Sequence, residues 1–270
     1  MKNVNTITDK QNKLYEHLRN LDRVAVAFSA GVDSTYLLAA AREALGGDVI
    51  AITGRAVSVP DRELAEAHAI CERLGVEHVV VDVDQLAIPG FKENPPERCY
   101  LCKKALFTAF TEAAAQRGFD VLAEGSNADD MNDYRPGMKA LAELNIKSPL
   151  LDAGLTKDDI RSLSRKLDLP TWDKPAYACL ATRIPCGEEI TIDKLDMIEK
   201  AEEAIQDLKF RQLRVRHHGE LARVEIDRGE MDRMLNTDMM AEVSRRLKAI
   251  GFRYVTLDLG GYQRGSTNKK

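Results

Sequence analysis

Short runs of apolar, often β-branched residues alternate with longer stretches in which apolar positions recur at helical spacing. VAVAF (24–28) leads into STYLLAAAREALG and VIAITG (49–54) into DRELAEAHAICERLG. HVVVDVD (78–84) precedes KKALFTAFTEAAAQRG, which leads to VLAEGS (121–126). Such alternation predicts βαβ units and a parallel sheet with helices on both faces. SPLLDAGLTKDDIRSLSRKLDLP extends it: Thr156 with Asp159 three residues on predicts a variant of the capping box, and the helix should end before Pro170. Beyond Gly187 the pattern changes to a helix over about 192–208, strands in RQLRVRHHG and LARVEID, a helix over 230–250 and a strand in RYVTLDL. The predicted fold is therefore α/β, a doubly wound parallel sheet over residues 1–186, with a smaller C-terminal α+β domain over 187–270. The final GSTNKK is expected to be disordered.

A chain of 270 residues accommodates two such domains without disulfide staples. With 30% charged residues, 6% aromatics and a net charge of -4, it has the balance of a soluble enzyme and not of a nucleic-acid coat, so any basic site must be local. The first twenty residues are polar, and no stretch is apolar enough to cross a bilayer, which points to a cytoplasmic protein without a membrane partner. Five cysteines, an odd number, suit metal, sulfur or redox chemistry better than a disulfide framework.

Two constellations carry the chemistry. FSAGVDSTYLL (28–38) joins the first strand to its helix, where backbone N–H groups and the helix dipole receive anions. Ser29, Ser34 and Thr35 offer hydroxyls, Gly31 permits close approach, and Asp33 is an acid beside the expected phosphates, which suggests a bound divalent cation. The loop contains no lysine, unlike an ordinary P-loop. Asp129, Asp130 and Asp133 follow VLAEGS at another carboxyl end, either for metal, for substrate, or as a solvated helix turn. The second constellation is ERCYLCKK with Cys99 and Cys102, and KPAYACLATRIPCG with Cys179 and Cys186. Zinc, a redox disulfide, inert thiols and an iron-sulfur site are all open to such spacing. Cys71 sits midway along an amphipathic helix as a small buried hydrophobe.

The loop SAGVDS resembles the S-G-G-x-D-S loop of the N-type ATP pyrophosphatases, with Ala30 in place of a glycine. That resemblance implies cleavage of ATP between the α and β phosphates. Ser29, Ala30, Gly31, Val32, Asp33, Ser34 and Thr35 would then hold the departing pyrophosphate while AMP passes to a substrate oxygen. GSNADDMNDYRPGMKAL, ATRIPCGEEIT, LRVRHHGELARVEI and GFRYVTLDLGGYQRGS extend the match over nearly the whole chain, which resembles the LarE family. Its members are ATP-dependent sulfur transferases that thiolate a pyridinium dicarboxylate mononucleotide during synthesis of a nickel-pincer cofactor.

Some members of that family sacrifice one cysteine, and others use three to hold a [4Fe-4S] cluster with an extra sulfide. Cys99, Cys102 and Cys179 resemble the second kind, which makes them the implied metal ligands, Cys179 and Asp33 the catalytic residues, and ATP, Mg²⁺ and the cluster the cofactors. Cys186 falls where the family's I-P-Y-G has an aromatic. The substrate's nucleotide phosphate would be received by Thr182, Arg183, Arg214 and Arg216, with Asp130 also at the substrate; Arg214 and Arg216 share a strand face. His217 and His218 are expected at the surface, and Trp172 as a packing anchor for the loop bearing Cys179. A sulfide donor and self-association into a homo-oligomer are further implications. A tRNA thiolase and an amide ligase would share the loop, but the net charge and lack of a basic appendage disfavour RNA, and a ligase has no use for clustered thiols.

Overall fold

The computed structural model describes residues 6–132, 136–175 and 178–263; Asp133 and the GSTNKK tail lie outside them. The chain divides into two compact units, Met1–Gln85 with Cys99–Ala176, and Leu86–Arg98 with Tyr177–Lys270.

In chain order the first unit contains α1 (Ile7–Arg19), β1 (Val24–Ala27), α2 (Val32–Leu45), β2 (Val49–Arg55), α3 (Asp61–Leu74), β3 (Glu77–Asp82), α4 (Arg98–Ala115, its first residue at the boundary), β4 (Leu122–Ala123), α5 (Pro136–Glu143), α6 (Pro149–Asp152) and α7 (Lys157–Lys166). The strands pair in parallel in the order β3-β2-β1-β4. Strand period two explains the layers. Val24 and Val26 of β1 and Val49 and Ala51 of β2 face one core with residues of α1, α2, α3 and α7, while Ala25, Ile50 and Ile52 face another with Phe107, Phe110 and Leu141. Each large apolar side chain so buried is worth about 1.5–3 kcal/mol, which is how a sheet with apolar residues on both faces becomes a doubly covered layer. Cys71 is buried in the first of these cores, and burial pushes its thiol up to about 12. At α7 the expected capping box forms: Thr156 Oγ1 accepts from the Asp159 N–H at 3.3 Å, and Asp159 accepts from the Thr156 N–H at 3.0 Å.

The second unit contains α8 (Ile192–Gln206), β5 (Leu213–His218), β6 (Leu221–Ile226), α9 (Met231–Met234), α10 (Thr237–Ile250) and β7 (Tyr254–Leu257). The β5-β6 hairpin is antiparallel, and β7 returns parallel to β6 after α10. Ile205, Phe210, Val215, Val224, Leu247 and Phe252 form its core.

Two expectations are corrected here. The helix expected over 230–250 is interrupted, because the Asn236 side chain accepts from the N–H groups of Asp238 and Met239 at 3.0 and 3.2 Å and so starts a new helix. His217 is only 4% exposed and packs edge-on to Phe252, so the surface placement holds for His218 alone. Burial of the His217 ring lowers its pKa.

The segment 86–98 joins the second unit through hydrogen bonds. Asn94 donates from Nδ2 to the carbonyls of Ile184 and Pro185 at 3.2 and 2.7 Å and accepts from the Gly187 N–H at 2.9 Å, while Ile190 N–H donates to Lys92 O at 2.8 Å. Among the described residues no helix is long and apolar enough to cross a membrane.

Gly125, just past β4, is the place where the sheet presses on the loop after β1: a Cβ there would lie 3.0 Å from Ser34 N and 3.3 Å from Asp33 Cβ. Gly125→Ala is expected to cost about 1–3 kcal/mol by overpacking. The urea midpoint of the variant checks this, and a value equal to the parent's would show that the contact yields.

Candidate active site

The exit of β1 is pinned by β2: Phe28 N–H donates to Ile52 O at 2.8 Å and Phe28 O accepts from Thr53 Oγ1 at 2.7 Å. The loop then folds on itself. Ser34 Oγ accepts from the Ser29 N–H at 3.3 Å and donates to Gly31 O at 3.2 Å, and the Ser29 and Ser34 hydroxyls lie 3.2 Å apart. Ala30 is buried with φ +51°, in the left-handed region that L-residues populate poorly. Gly31 is the N-cap of α2, and no side chain caps the helix. Its first-turn amides have no intrahelical acceptors, so the end of α2 offers donors and a positive dipole to an anion.

Asp33 stands in that first turn. One carboxylate oxygen pairs with Lys157 Nζ, and the other, Oδ1, is buried with no hydrogen-bond partner. Burial raises the Asp33 pKa; Lys157 opposes the rise and nearby Asp130 adds to it. Asp130 is itself buried and accepts from the Asn127 N–H at 3.1 Å. Asp129 accepts from the Lys157 N–H at 2.8 Å and so fixes the start of α7. Lys157 was not among the residues expected from sequence. Its signal was local, since a lysine at the first position of a helix opposes the macrodipole and calls for another partner.

Cys99 and Cys102 lie one turn apart at the start of α4, the first exposed and the second half-buried. Gln85, buried, donates from Nε2 to Cys102 Sγ at 3.0 Å while its Oε1 accepts from the Ser58 N–H at 3.1 Å. Cys179 occupies the N-cap position of a 3₁₀ turn, Leu180–Arg183, in the second unit. Cys186 donates from Sγ to Asn94 O at 3.3 Å. Arg98, the residue before Cys99, donates to the carbonyl of Ala181, two residues past Cys179, at 3.1 Å. Among the described residues no three His, Cys, Asp or Glu side chains form a group able to hold a metal ion.

Arg183, Arg214 and Arg216 of the second unit are all buried. Arg183 pairs with Glu202 through two 2.8 Å bonds and also donates to the carbonyls of Ala178 and Cys179 at 2.5 and 3.1 Å, so it shapes the turn that carries the thiol. Thr182 Oγ1 donates to Cys179 O at 2.8 Å. Arg216 pairs with Glu225 at 3.0 and 2.9 Å and donates to Thr182 O at 2.9 Å. Arg214 lies 5.0 Å from the Tyr262 ring centre, and burial together with Arg183 lowers its pKa. Trp172 departs from expectation. It is 37% exposed with the Arg165 guanidinium 5.0 Å over its ring, so it is a solvent-facing cation-π partner and not a packing anchor.

Residues 12–132 match the asparagine synthase family. An uncharacterized protein of Synechocystis sp. is 38% identical over 97% of this chain and 98% of its own. The pyridinium-3,5-bisthiocarboxylic acid mononucleotide synthase of Lactiplantibacillus plantarum is 36% identical over 97% of this chain and 95% of its own. A tRNA-specific 2-thiouridylase of Desulforamulus reducens is 25% identical and spans only 57% of this chain and 53% of its own. Since the first two likenesses run through both units, the chain belongs to the LarE family, that of the pyridinium-3,5-bisthiocarboxylic acid mononucleotide synthases.

Proposed function

We propose that the protein uses ATP to activate a carboxylate of a pyridinium dicarboxylate mononucleotide and replaces an oxygen of that carboxylate with sulfur. The observation that carries this reading is the lysine-free loop running into an uncapped helix, with Asp33 placing one partnerless buried oxygen beside Lys157. A carboxylate is a poor electrophile because its leaving group would be oxide. Attack of its oxygen on the α-phosphorus of ATP forms an acyl-adenylate, and the bond to pyrophosphate breaks. The amides of Val32 to Ser34 stabilise the charge that gathers on the departing pyrophosphate, and Lys157 supplies the cation that the loop itself lacks. The buried, unpartnered Asp33 Oδ1 fits a divalent cation, with Asp130 beside it; Mg²⁺ bound there would neutralise pyrophosphate charge.

Arg214 best suits the substrate phosphate: burial first, and then neighbouring Arg183, depress its pKa, a cost that a bound anion offsets, and Thr182, Arg183 and Arg216 form the surrounding frame. Sulfide attack on the acyl carbon then forms a carbon–sulfur bond as the carbon–oxygen bond to AMP breaks. We assign Cys99, Cys102 and Cys179 as ligands of a [4Fe-4S] cluster. In favour is a thiol pair one turn apart at the positive end of α4. When bound, such a cluster offers a sulfide on the iron that no cysteine holds. A sulfide donor, a homo-oligomer and a cytoplasmic location belong to the same reading.

Anaerobically purified protein is expected to contain iron and show the broad visible absorption of thiolate-ligated clusters, both lost in Cys102→Ser. A colourless, iron-free preparation that still turns over repeatedly would eliminate the cluster. Asp33→Asn is expected to lower kcat/KM by on the order of 10²–10³. The same variant changes the pH dependence of stability. Because the folded pKa of Asp33 lies above the unfolded value, the folded state binds more protons between them, and the wild-type chain loses stability as pH rises through that window. Urea titrations on either side of it should show the Asn variant gaining relative to wild type with rising pH; parallel curves would refute the assignment. Arg214→Met should weaken binding of the mononucleotide by about 10- to 100-fold without unfolding the protein. By contrast, Glu202→Ala, which strands buried Arg183, should cost about 3–5 kcal/mol in equilibrium unfolding.

A further inference from the structure

Lys174 lies in the turn that follows α7, and its side chain is only 11% exposed. Its Nζ donates to the carbonyl of Ala30 at 2.9 Å and to Glu66 of α3 at 2.6 Å. The turn that presents it is itself gripped. Arg161 donates from one nitrogen to Trp172 O at 2.7 Å and from another to Lys174 O at 2.8 Å, and the Lys174 N–H donates to Thr171 O at 3.0 Å. Pro175 follows, which biases Lys174 toward extended backbone. A long, flexible side chain is thereby fixed at both ends, with its ammonium held between the Glu66 carboxylate and one peptide carbonyl.

That peptide group joins Ala30 to Gly31. Ala30 holds φ +51°, a conformation natural to glycine and unfavourable for alanine, because its Cβ crowds the following carbonyl oxygen. In a trans peptide the carbonyl and the next N–H point in opposite directions. Whatever fixes the Ala30 oxygen therefore also fixes the Gly31 N–H, on the far side of the peptide from Lys174.

We propose that Lys174 is a positioning residue of the nucleotide loop: by holding the Ala30 carbonyl, it keeps a non-glycine residue in the left-handed conformation that aims the Gly31 N–H at the pyrophosphate of ATP. The inference rests on the reading of this loop as the ATP site and adds a residue from a distant part of the chain to it. Glu66 keeps the ammonium aligned. Lys174 does not touch the nucleotide, and its effect passes through the backbone of Ala30.

The test is a rescue experiment in the full-length protein, read by titration calorimetry with α,β-methylene-ATP and Mg²⁺. Lys174→Met is expected to weaken binding about tenfold, because the Ala30 peptide relaxes. Ala30→Gly in the Lys174→Met background should restore binding to within about threefold of wild type, since glycine adopts the same φ without help. A purely structural role for the lysine would not be rescued in this way. Equal binding by Lys174→Met and wild type, or a double variant as weak as the single one, overturns the proposal. If Lys174→Met does not fold, Lys174→Gln serves the same comparison. A wild-type chain that fails to bind the analogue defeats the ATP reading itself, which is a separate result from failure of the rescue.

Discussion

A negative charge placed at a helix end beside a site for more negative charge is the constraint around which the first unit is arranged. Asp33 is pushed toward neutrality by burial, drawn back toward ionisation by Lys157, and left with one oxygen that nothing in the described chain satisfies. Unsatisfied buried oxygens are costly and persist where binding later satisfies them. Lys157 must therefore be held in place without the help of the loop, and it is: α7 begins with a capping box, and Asp129 takes the Lys157 N–H. The cation that a P-loop would carry within its own sequence arrives here from a helix packed against α2.

The second unit solves a different electrostatic problem. Arg183, Arg214 and Arg216 are all buried, which would be prohibitive in isolation, but Glu202 and Glu225 hold two of them with paired, charge-assisted bonds. Glu202 also accepts from the Val215 N–H at 3.0 Å, so one carboxylate ties α8 to β5 and to the turn bearing Cys179. The rigidity of that turn is thus a property of the unit's core and not of the turn's own sequence.

Much of the layered architecture was legible in advance because it depends on nearest-neighbour periodicity. The alternation in VAVA and VIAIT distributes Val24, Val26 and Ala51 to one core and Ala25, Ile50 and Ile52 to the other, and Thr156 with Asp159 announces a helix start. The loop was legible because its donors are its own backbone. What escaped were partners brought together by the fold and not by helix or strand spacing: Lys157 for Asp33, Gln85 for Cys102, Glu202 for Arg183. Even where a residue such as Lys157 signals locally that it needs a partner, a one-dimensional pattern does not name which one. The break at Asn236 and the burial of His217 were missed for opposite reasons. A capping side chain stood in plain view within a helical pattern, whereas the covering of a strand on both faces depends on elements elsewhere.

The segment 86–98 has a bearing on how the molecule is made. It leaves the ribosome early, yet its long-range hydrogen-bond partners include residues from Ala181 to Ile190, close to a hundred residues later. Contacts so remote in sequence form slowly and late. Until the C-terminal part emerges, this stretch lacks those partners and stays open to chaperones or proteases, although β1, β2 and β3 precede it in the chain. Synthesis order thus places β1 to β3 well ahead of the closing of the thiol-bearing turn.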